Sequence, residues 1–328
     1  MVAASALLRS PLLRGLMLGA VLLAGGWPSL AGTAEPPVWA PTPPVLEGAQ
    51  LARLERELGG LLPQRAGVTD LYVLGVAGDA SEDVFRNEVV YLRSLFEQRF
   101  GTTGRNVSLI NHAGSRDEAA AAPLATYESL GYALDVLGQT LDPDEDVLLL
   151  YLTSHGLEDS SFYLQTGPDE EDYLAPEDLA QLLDEAGIGN AVIVVSACYA
   201  GGFVPALKAP NRMVVTAARH DRPSFGCGNS DSATWFGRAF LVEALNATSD
   251  FATAFEQARA TVRRREREEK ELPSHPQIAV GQRIGAALAR WRAALQPGAA
   301  VPYPFIYAPP DAGDGEPASE PASASAEQ

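Results

Sequence analysis

Two short apolar runs that each end in a reactive side chain constrain the fold of this chain most strongly. The first run extends from residue 146 to His155 and Gly156, and the second from residue 191 to Cys198. Apolar runs of this length are typical of parallel strands that helices cover on both faces. Open α/β sheets bind ligands just outside the carboxyl ends of their strands. The pattern therefore predicts an imidazole and a thiol at the edge where such folds keep their sites.

Strand and helix patterns alternate along most of the remaining chain, from about Thr69 to Leu295. A strand over residues 71–76 precedes a helix whose apolar side chains recur at helical spacing from Phe85 to Phe96. Further strands are predicted over residues 106–110, 213–216 and 277–280, with helices between them. This alternation predicts an α/β fold, one domain with a mainly parallel sheet flanked by helices.

The two ends of the chain differ from this pattern. Residues 1–34 place Arg9 and Arg14 before a short apolar stretch and small residues, which is typical of a signal peptide. The stretch is shorter than the about 20 residues that a membrane-crossing helix needs, so we expect export to the periplasm or the medium, with an N-terminal membrane anchor as the alternative. We expect a proline-rich linker and a short amphipathic helix over residues 35–66, the folded domain over 67–296 and a disordered tail over 297–328.

Composition excludes several classes of function. The net charge of −18 argues against nucleic acid and against an anionic membrane surface as partners. Cys198 and Cys227 are the only cysteines, which excludes a disulfide scaffold and a cysteine-rich zinc site but leaves one disulfide open. The histidines other than His155 show no metal-ligand spacing, and no nucleophilic-serine elbow or phosphate loop occurs. We therefore expect no metal and no cofactor.

The residues at the two strand ends fit one kind of chemistry. A cysteine peptidase needs a thiolate, an imidazole that moves protons, and donors for the developing oxyanion. Cys198 would be the nucleophile, His155 the general base and acid, and the N–H groups of Gly156 and Cys198 the oxyanion hole. The alternative is an inert buried cysteine and a structural histidine, since free cysteine is among the most buried residue types. On the residues alone, both interpretations stay open.

The order of several short motifs resembles that of the legumain-type cysteine peptidases, the family that also contains the catalytic subunit of GPI transamidase. Caspases and gingipains are similar more distantly. The resemblance covers about Val73 to Gly281 and rests on His155-Gly156, Ser196-Ala197-Cys198, Thr216-Ala217-Ala218, Ser224-Phe225-Gly226-Cys227, Trp235-Phe236-Gly237 and Ser274-His275-Pro276-Gln277. It implies a secreted bacterial-type member with a caspase-like three-layer sandwich. It also implies a Cys–His dyad that hydrolyses a peptide or protein substrate through an acyl-enzyme.

The resemblance also implies a substrate pocket, and here this chain differs from legumain. Arg86 aligns with the arginine of the family's pocket, whereas the two acidic residues that assist it in legumain fall on Ser196 and about Arg238. A pocket of this composition is more positive than that of legumain, so we expect an acidic or neutral side chain before the cut. The family's asparagine that orients the histidine falls near Val84, which leaves Asn87 as the candidate for that role.

Other functions remain open at this stage. A transamidase would use the same acyl-enzyme with an amine acceptor, and a peptidase-like module could bind peptides without cutting them. Cys227 is expected to be a small buried apolar residue, with a disulfide to Cys198 as the alternative. The sequence does not determine the oligomeric state.

Overall fold

The structure is a computed structural model that describes residues 48–112, 122–168, 170–228 and 231–306. The predicted signal peptide, most of the predicted linker and the end of the chain lie outside these residues. Within them, no helix combines the length and the apolar character needed to cross a membrane.

A six-stranded sheet with the strand order β2-β1-β3-β6-β7-β8 forms the centre of the domain. Its strands are β1 (Leu71–Ala77), β2 (Asn106–Ile110), β3 (Val147–Thr153), β6 (Asn190–Ser196), β7 (Arg212–Thr216) and β8 (Gln277–Val280). All neighbours are parallel except β7 and β8, which are antiparallel. A separate antiparallel hairpin consists of β4 (Phe162–Gly167) and β5 (Glu170–Leu174).

Helices cover both faces of the sheet. One layer contains α1 (Gly48–Gly59), α3 (Tyr127–Thr140), α4 (Pro176–Glu185) and α5 (Phe203–Leu207), together with the hairpin. The other contains α2 (Asp83–Phe100), α6 (Trp235–Gly237), which continues as a π-helical stretch (Arg238–Ala244) into α7 (Leu245–Ala247), and then α8 (Phe251–Glu269) and α9 (Ile284–Ala294). The predicted mainly parallel sheet flanked by helices is therefore confirmed, and the arrangement is that of a caspase-like sandwich.

The central strands are apolar throughout because both of their faces are buried. Successive side chains of a strand point to opposite faces, so Leu148 and Leu150 enter one core and Leu149 and Tyr151 the other. All four side chains are fully buried. This arrangement explains the uninterrupted apolar run that precedes His155.

The chain after α9 differs from the expected disordered tail that begins at residue 297. Residues 298–306, here called the C-terminal strap, pack back onto the domain. The Gly298 N–H donates to the Arg99 carbonyl at 2.8 Å, and the Val301 N–H donates to Asn246 Oδ1 at 2.8 Å. Val301 is buried in the core beside α2 and α7. The expectation of disorder is thus corrected for residues 297–306. Val301, Tyr303 and Phe305 pack in or against the core, although the tail as a whole is mostly polar and small residues.

Candidate active site

The register of three neighbouring strands brings three reactive side chains to one edge of the sheet. Ala77 of β1 pairs with Thr153 of β3, and Thr153 pairs with Ser196 of β6. Two residues beyond these partners lie Asp79, His155 and Cys198, in that order along the edge. The predicted meeting of His155 and Cys198 therefore has a geometric basis in adjacent parallel strands, and an aspartate flanks the histidine on the other side.

Backbone contact between the two strand ends explains the glycine after His155. A Cβ atom placed on Gly156 would lie 2.0 Å from the carbonyl oxygen of Cys198, closer than any real contact. Only glycine lets these two segments approach so closely. Among the described residues, neither Gly156 nor Cys198 uses its backbone N–H in a hydrogen bond. These two donors therefore remain free for a substrate carbonyl.

The sulfur of Cys198 lies against Ser224, in the loop that follows β7. The Ser224 N–H donates to Cys198 Sγ at 3.2 Å, and the Ser224 carbonyl and hydroxyl oxygens lie 3.5 and 3.6 Å from the sulfur. These contacts hold the sulfur against the loop that follows β7. The resemblance included residues 224–227 as a motif, and the structure shows that Ser224 of this motif contacts the Cys198 sulfur.

The backbone immediately after Cys198 is strained. Tyr199 has a φ of 54° and a ψ of 11°, a left-handed conformation that is uncommon for a bulky residue. The hydroxyl of Ser160 donates to the Tyr199 carbonyl at 2.8 Å and helps to hold it. Such strain costs about 1–3 kcal/mol and concentrates at functional sites. The left-handed conformation of Tyr199 turns the chain sharply, so that Cys198 is the last residue before the turn.

His155 is held between aromatic rings and a buried carboxylate. Its ring meets the Phe85 ring edge-on at a centroid distance of 5.2 Å, and Tyr163 of the hairpin lies at 6.4 Å. Asp79 Oδ2 lies 3.8 Å from His155 Nε2, and the Asp79 side chain is almost completely buried. Asp79 Oδ1 accepts hydrogen bonds from the backbone N–H and the hydroxyl of Ser81. The carboxylate is therefore fixed beside the imidazole.

Asn87, expected as the group that orients His155, has a different position in the structure. Its Oδ1 accepts from Arg86 Nη2 at 2.9 Å, and its Nδ2 donates to the Ser232 carbonyl at 3.1 Å. Both ends of the amide are thus engaged away from the histidine. Asp79 occupies the place beside His155, and its sequence signal was available, since Ala77-Gly78-Asp79 ends a core strand just as the His155 and Cys198 segments do.

The three predicted pocket residues lie around Ser232 and Thr234. Arg238 Nη2 donates to Ser232 Oγ at 2.8 Å, and Arg86 reaches the same residue through Asn87. Ser196 lies beneath them, buried, with its hydroxyl 3.1 Å from that of Thr234. Since Ser196 is two residues before Cys198, this network joins both guanidinium groups to the strand end of the nucleophile.

A buried glutamate supports the same region from below. Glu88 Oε2 accepts from the Tyr151 and Thr153 hydroxyls at 2.7 Å each, and Oε1 accepts from the Thr234 N–H at 2.7 Å. Burial raises the pKa of Glu88, and these hydrogen bonds oppose the rise. The sequence pattern placed Glu88 only on a helix and did not single it out.

Cys227 lies near the site but in an apolar setting. It packs against a small cluster that includes Ala77, Phe85 and Ile110. Burial, and then the neighbouring Cys198, raises its pKa to about 11. Both cysteines are free thiols in this structure. Cys227 is half-buried, and its apolar contacts fit a packing residue rather than a nucleophile.

The fold and the site together define a class of protein. A parallel sheet between two helical layers, with a thiol and an imidazole at adjacent strand ends, is the arrangement of a cysteine peptidase of the caspase-like type. Residues 133–286 match the model of the Peptidase C13 family, which confirms the resemblance to legumain-type enzymes. No curated protein matches the chain.

The family match supports cysteine peptidase or transamidase chemistry, and a peptide or protein as the substrate. It spans His155 and Cys198, as well as Ser196 and Arg238. Asp79 and Arg86 precede the matched residues, and the C-terminal strap follows them. The family match therefore does not bear on the roles of these three features.

Proposed function

We propose that this protein is a cysteine endopeptidase that hydrolyses peptide bonds through Cys198 and His155. One observation carries the proposal. The in-register strands β3 and β6 place the two side chains at neighbouring strand ends, where Gly156 and the Cys198 carbonyl are in backbone contact. A thiol, an imidazole and two N–H groups without a described partner thus lie at neighbouring strand ends, as this chemistry needs.

The reaction follows from these positions. His155 takes the proton of the Cys198 thiol, and the thiolate attacks the carbonyl carbon of the substrate. The N–H groups of Gly156 and Cys198 stabilise the negative oxygen of the tetrahedral intermediate. When that intermediate collapses, the C–N bond breaks and His155 gives its proton to the departing amine. His155 then deprotonates a water molecule, which cleaves the thioester and regenerates the thiol.

Two further parts complete the proposed site. Asp79 is a positioning residue, because its buried carboxylate lies 3.8 Å from His155 Nε2 and would stabilise the positive charge that the ring gains during the reaction. Arg86, Ser196 and Arg238 form the pocket for the side chain that precedes the cut. Two hydrogen bonds support this assignment: Arg238 donates to the Ser232 hydroxyl, and the hydroxyl of Ser196, two residues before Cys198, bonds to that of Thr234.

The test uses the full chain in reducing buffer with a fluorogenic peptide library that varies the residue before the cut. Turnover should be lost in Cys198→Ala and in His155→Ala, whereas the matched thiol variant Cys227→Ala should retain it. Labelling with iodoacetamide at neutral pH should occur at Cys198. Absence of turnover together with an unreactive Cys198 would refute the proposal, since the thiol would then lack activation.

A transamidase is the second candidate, because the matched family supports this chemistry as well as hydrolysis. Both reactions share the acyl-enzyme and differ in whether water or an amine releases the product. Mass spectrometry of products formed with and without added glycine amide separates them. An amide product in place of the free acid would replace the hydrolase with the transamidase, and peptide binding without either product would indicate a binding module.

We also propose that residues 1–34 direct export to the periplasm or the medium. The support is the arrangement of basic, apolar and small residues in that segment. Mass spectrometry of the protein recovered from a bacterial host should show a mature N-terminus near residue 34, and an intact N-terminus in the membrane fraction would favour an anchor.

A further inference from the structure

Two arginines of the proposed pocket have no carboxylate partner in the described part of the chain. Neither Arg86 nor Arg238 is in a salt bridge there, although the chain as a whole carries 42 acidic residues. The hydrogen bonds of both arginines go to neutral acceptors, the Asn87 amide and the Ser232 hydroxyl. Among the described residues, no carboxylate therefore forms a salt bridge with either of these two positive charges.

Aromatic rings of the C-terminal strap lie against these guanidinium groups. Arg238 Cζ is 5.0 Å from the centroid of the Tyr303 ring, and Arg86 Cζ is 5.7 Å from that of the Phe305 ring. The two rings also contact each other edge-on at 5.4 Å. Tyr303 Oη donates to the Ser232 carbonyl at 2.5 Å, which joins the strap to the residue that both arginines reach.

The strap is anchored well enough to hold these rings in place. The Val301 carbonyl accepts from Tyr91 Oη at 2.8 Å and from Asn246 Nδ2 at 3.0 Å. Tyr91 in turn packs edge-on against Tyr303 at 5.0 Å. The two pocket rings therefore extend from a fixed part of the domain.

A ring face and a carboxylate affect an arginine differently. A carboxylate occupies the N–H donors and cancels the charge, whereas a ring stabilises the cation through its face and leaves the in-plane donors available. Arg86 Nε is buried and has no hydrogen-bond partner in the described residues. A buried donor without a partner is costly, so an acceptor supplied by a ligand would stabilise it.

The acidic side chain beneath the pocket does not supply that acceptor. Glu88 is buried, and both of its oxygens accept hydrogen bonds from Tyr151, Thr153 and Thr234. It is therefore occupied by its own neighbours. A ligand with a carboxylate would satisfy the donors of Arg86 and Arg238 together, since guanidinium groups match a carboxylate in shape and charge.

We propose that Tyr303 and Phe305 are specificity-determining residues that hold Arg238 and Arg86 for a carboxylate, so that the substrate residue before the cut is aspartate or glutamate. The inference rests on the proposed peptidase function and states which substrate side chain its pocket binds. It also assigns a role to a segment that lies beyond the residues matched by the family model.

The test compares peptides that are identical except for Asp, Asn, Glu or Gln before the cut. With the full chain, kcat/KM for the acidic peptides should exceed that for their neutral isosteres by about 10- to 100-fold, as charge-assisted hydrogen bonds allow. The same peptides are also titrated against the Cys198→Ala variant, where binding is measured without turnover. This second arm tests the pocket even if hydrolysis fails.

Variants then separate the strap from the rest of the pocket. Tyr303→Ala and Phe305→Ala should reduce the ratio of kcat/KM for the Asp peptide to that for the Asn peptide by about tenfold or more. Phe305→Leu keeps an apolar side chain without an aromatic face and should also reduce the preference, which separates cation–π contact from packing. Tyr132→Ala, a half-exposed tyrosine on α3, is the matched control and should leave the preference unchanged.

Each outcome decides the inference. Preference for the acidic peptides that falls in both strap variants supports it, and so does preferential binding by Cys198→Ala even if no peptide is cut. Equal kcat/KM or equal affinity for Asp and Asn peptides overturns it, while turnover that depends on Cys198 still supports the peptidase. A strong acidic preference that persists in both strap variants overturns the role of Tyr303 and Phe305.

Discussion

Asp79 Oδ2 lies 3.8 Å from His155 Nε2, at the adjacent ends of β1 and β3. The distance exceeds that of a hydrogen bond but is short enough for a direct electrostatic interaction. Because Asp79 is buried and Ser81 holds its other oxygen, the carboxylate cannot easily turn away. The histidine is therefore flanked by an acid on one side and by the nucleophile's strand end on the other.

Replacing Asp79 by asparagine should lower kcat with little change in KM. Asparagine keeps an oxygen for the Ser81 contacts but removes the charge that favours the imidazolium. We expect kcat to fall by about 10²-fold, at the lower end of the contribution of general acid–base catalysis. Steady-state kinetics and the thermal midpoint would be measured together. The exposed Asp83→Asn is the control, and an unchanged kcat in Asp79→Asn would contradict the positioning role.

Replacing Gly156 by alanine should abolish most activity. The new Cβ would meet the Cys198 carbonyl oxygen, so the nucleophile segment must move. We expect a loss of about 1–3 kcal/mol in the free energy of unfolding, as for other overpacked sites. Peptide turnover and urea denaturation check this. Gly285→Ala in α9, where a Cβ meets nothing within 4 Å, should leave both quantities close to wild type.

Replacing Cys227 by alanine should leave turnover largely intact. Its pKa of about 11 means that only about one molecule in 10⁴ carries the Cys227 thiolate at pH 7, and the thiolate is the reactive form. Iodoacetamide should therefore modify Cys227 slowly at pH 7 and faster as the pH approaches 11. Mass spectrometry of the labelled peptides would follow both cysteines. Loss of turnover in Cys227→Ala would give this thiol a part in the reaction.

Glu88 should make the domain less stable as the pH rises. Its pKa in the folded state is raised above the ordinary value of 4.5, because burial disfavours the charged form. From pH 4.5 upward to the folded pKa, the folded state holds a proton that the unfolded state has lost, so the free energy of unfolding falls as the pH rises. Glu88→Gln keeps polar contacts to Tyr151, Thr153 and Thr234 and should remove this pH dependence.

Urea denaturation at several pH values above 4.5 would test the role of Glu88. The wild type should lose stability across this window relative to Glu88→Gln, and the exposed Glu243→Gln should follow the wild type. Parallel curves for all three proteins would show that Glu88 titrates alike in the folded and unfolded states.

Several features of this molecule were readable from residue order alone. The apolar runs before His155 and Cys198 predicted buried parallel strands, because a strand that is buried on both faces consists almost entirely of apolar residues. Parallel strands share one carboxyl edge, so the meeting of the two side chains also followed from the pattern. The glycine after His155 was noted as well, although its reason, contact with the Cys198 carbonyl, is visible only in the structure.

The remaining features depended on how distant segments align. The sequence put Asp79 at the end of a strand, but its position beside His155 follows from the pairing of β1 with β3, which no local pattern encodes. Asn87 was the candidate for orienting His155 in the sequence, but in the structure its side chain contacts Arg86 and Ser232. Tyr303 and Phe305 belong to the predicted disordered tail. The average composition of that tail did not indicate that a few of its residues pack onto the domain. The periodicity of the sequence predicts whether a side chain is buried. Which residue that side chain contacts depends on how distant segments pack in the folded chain.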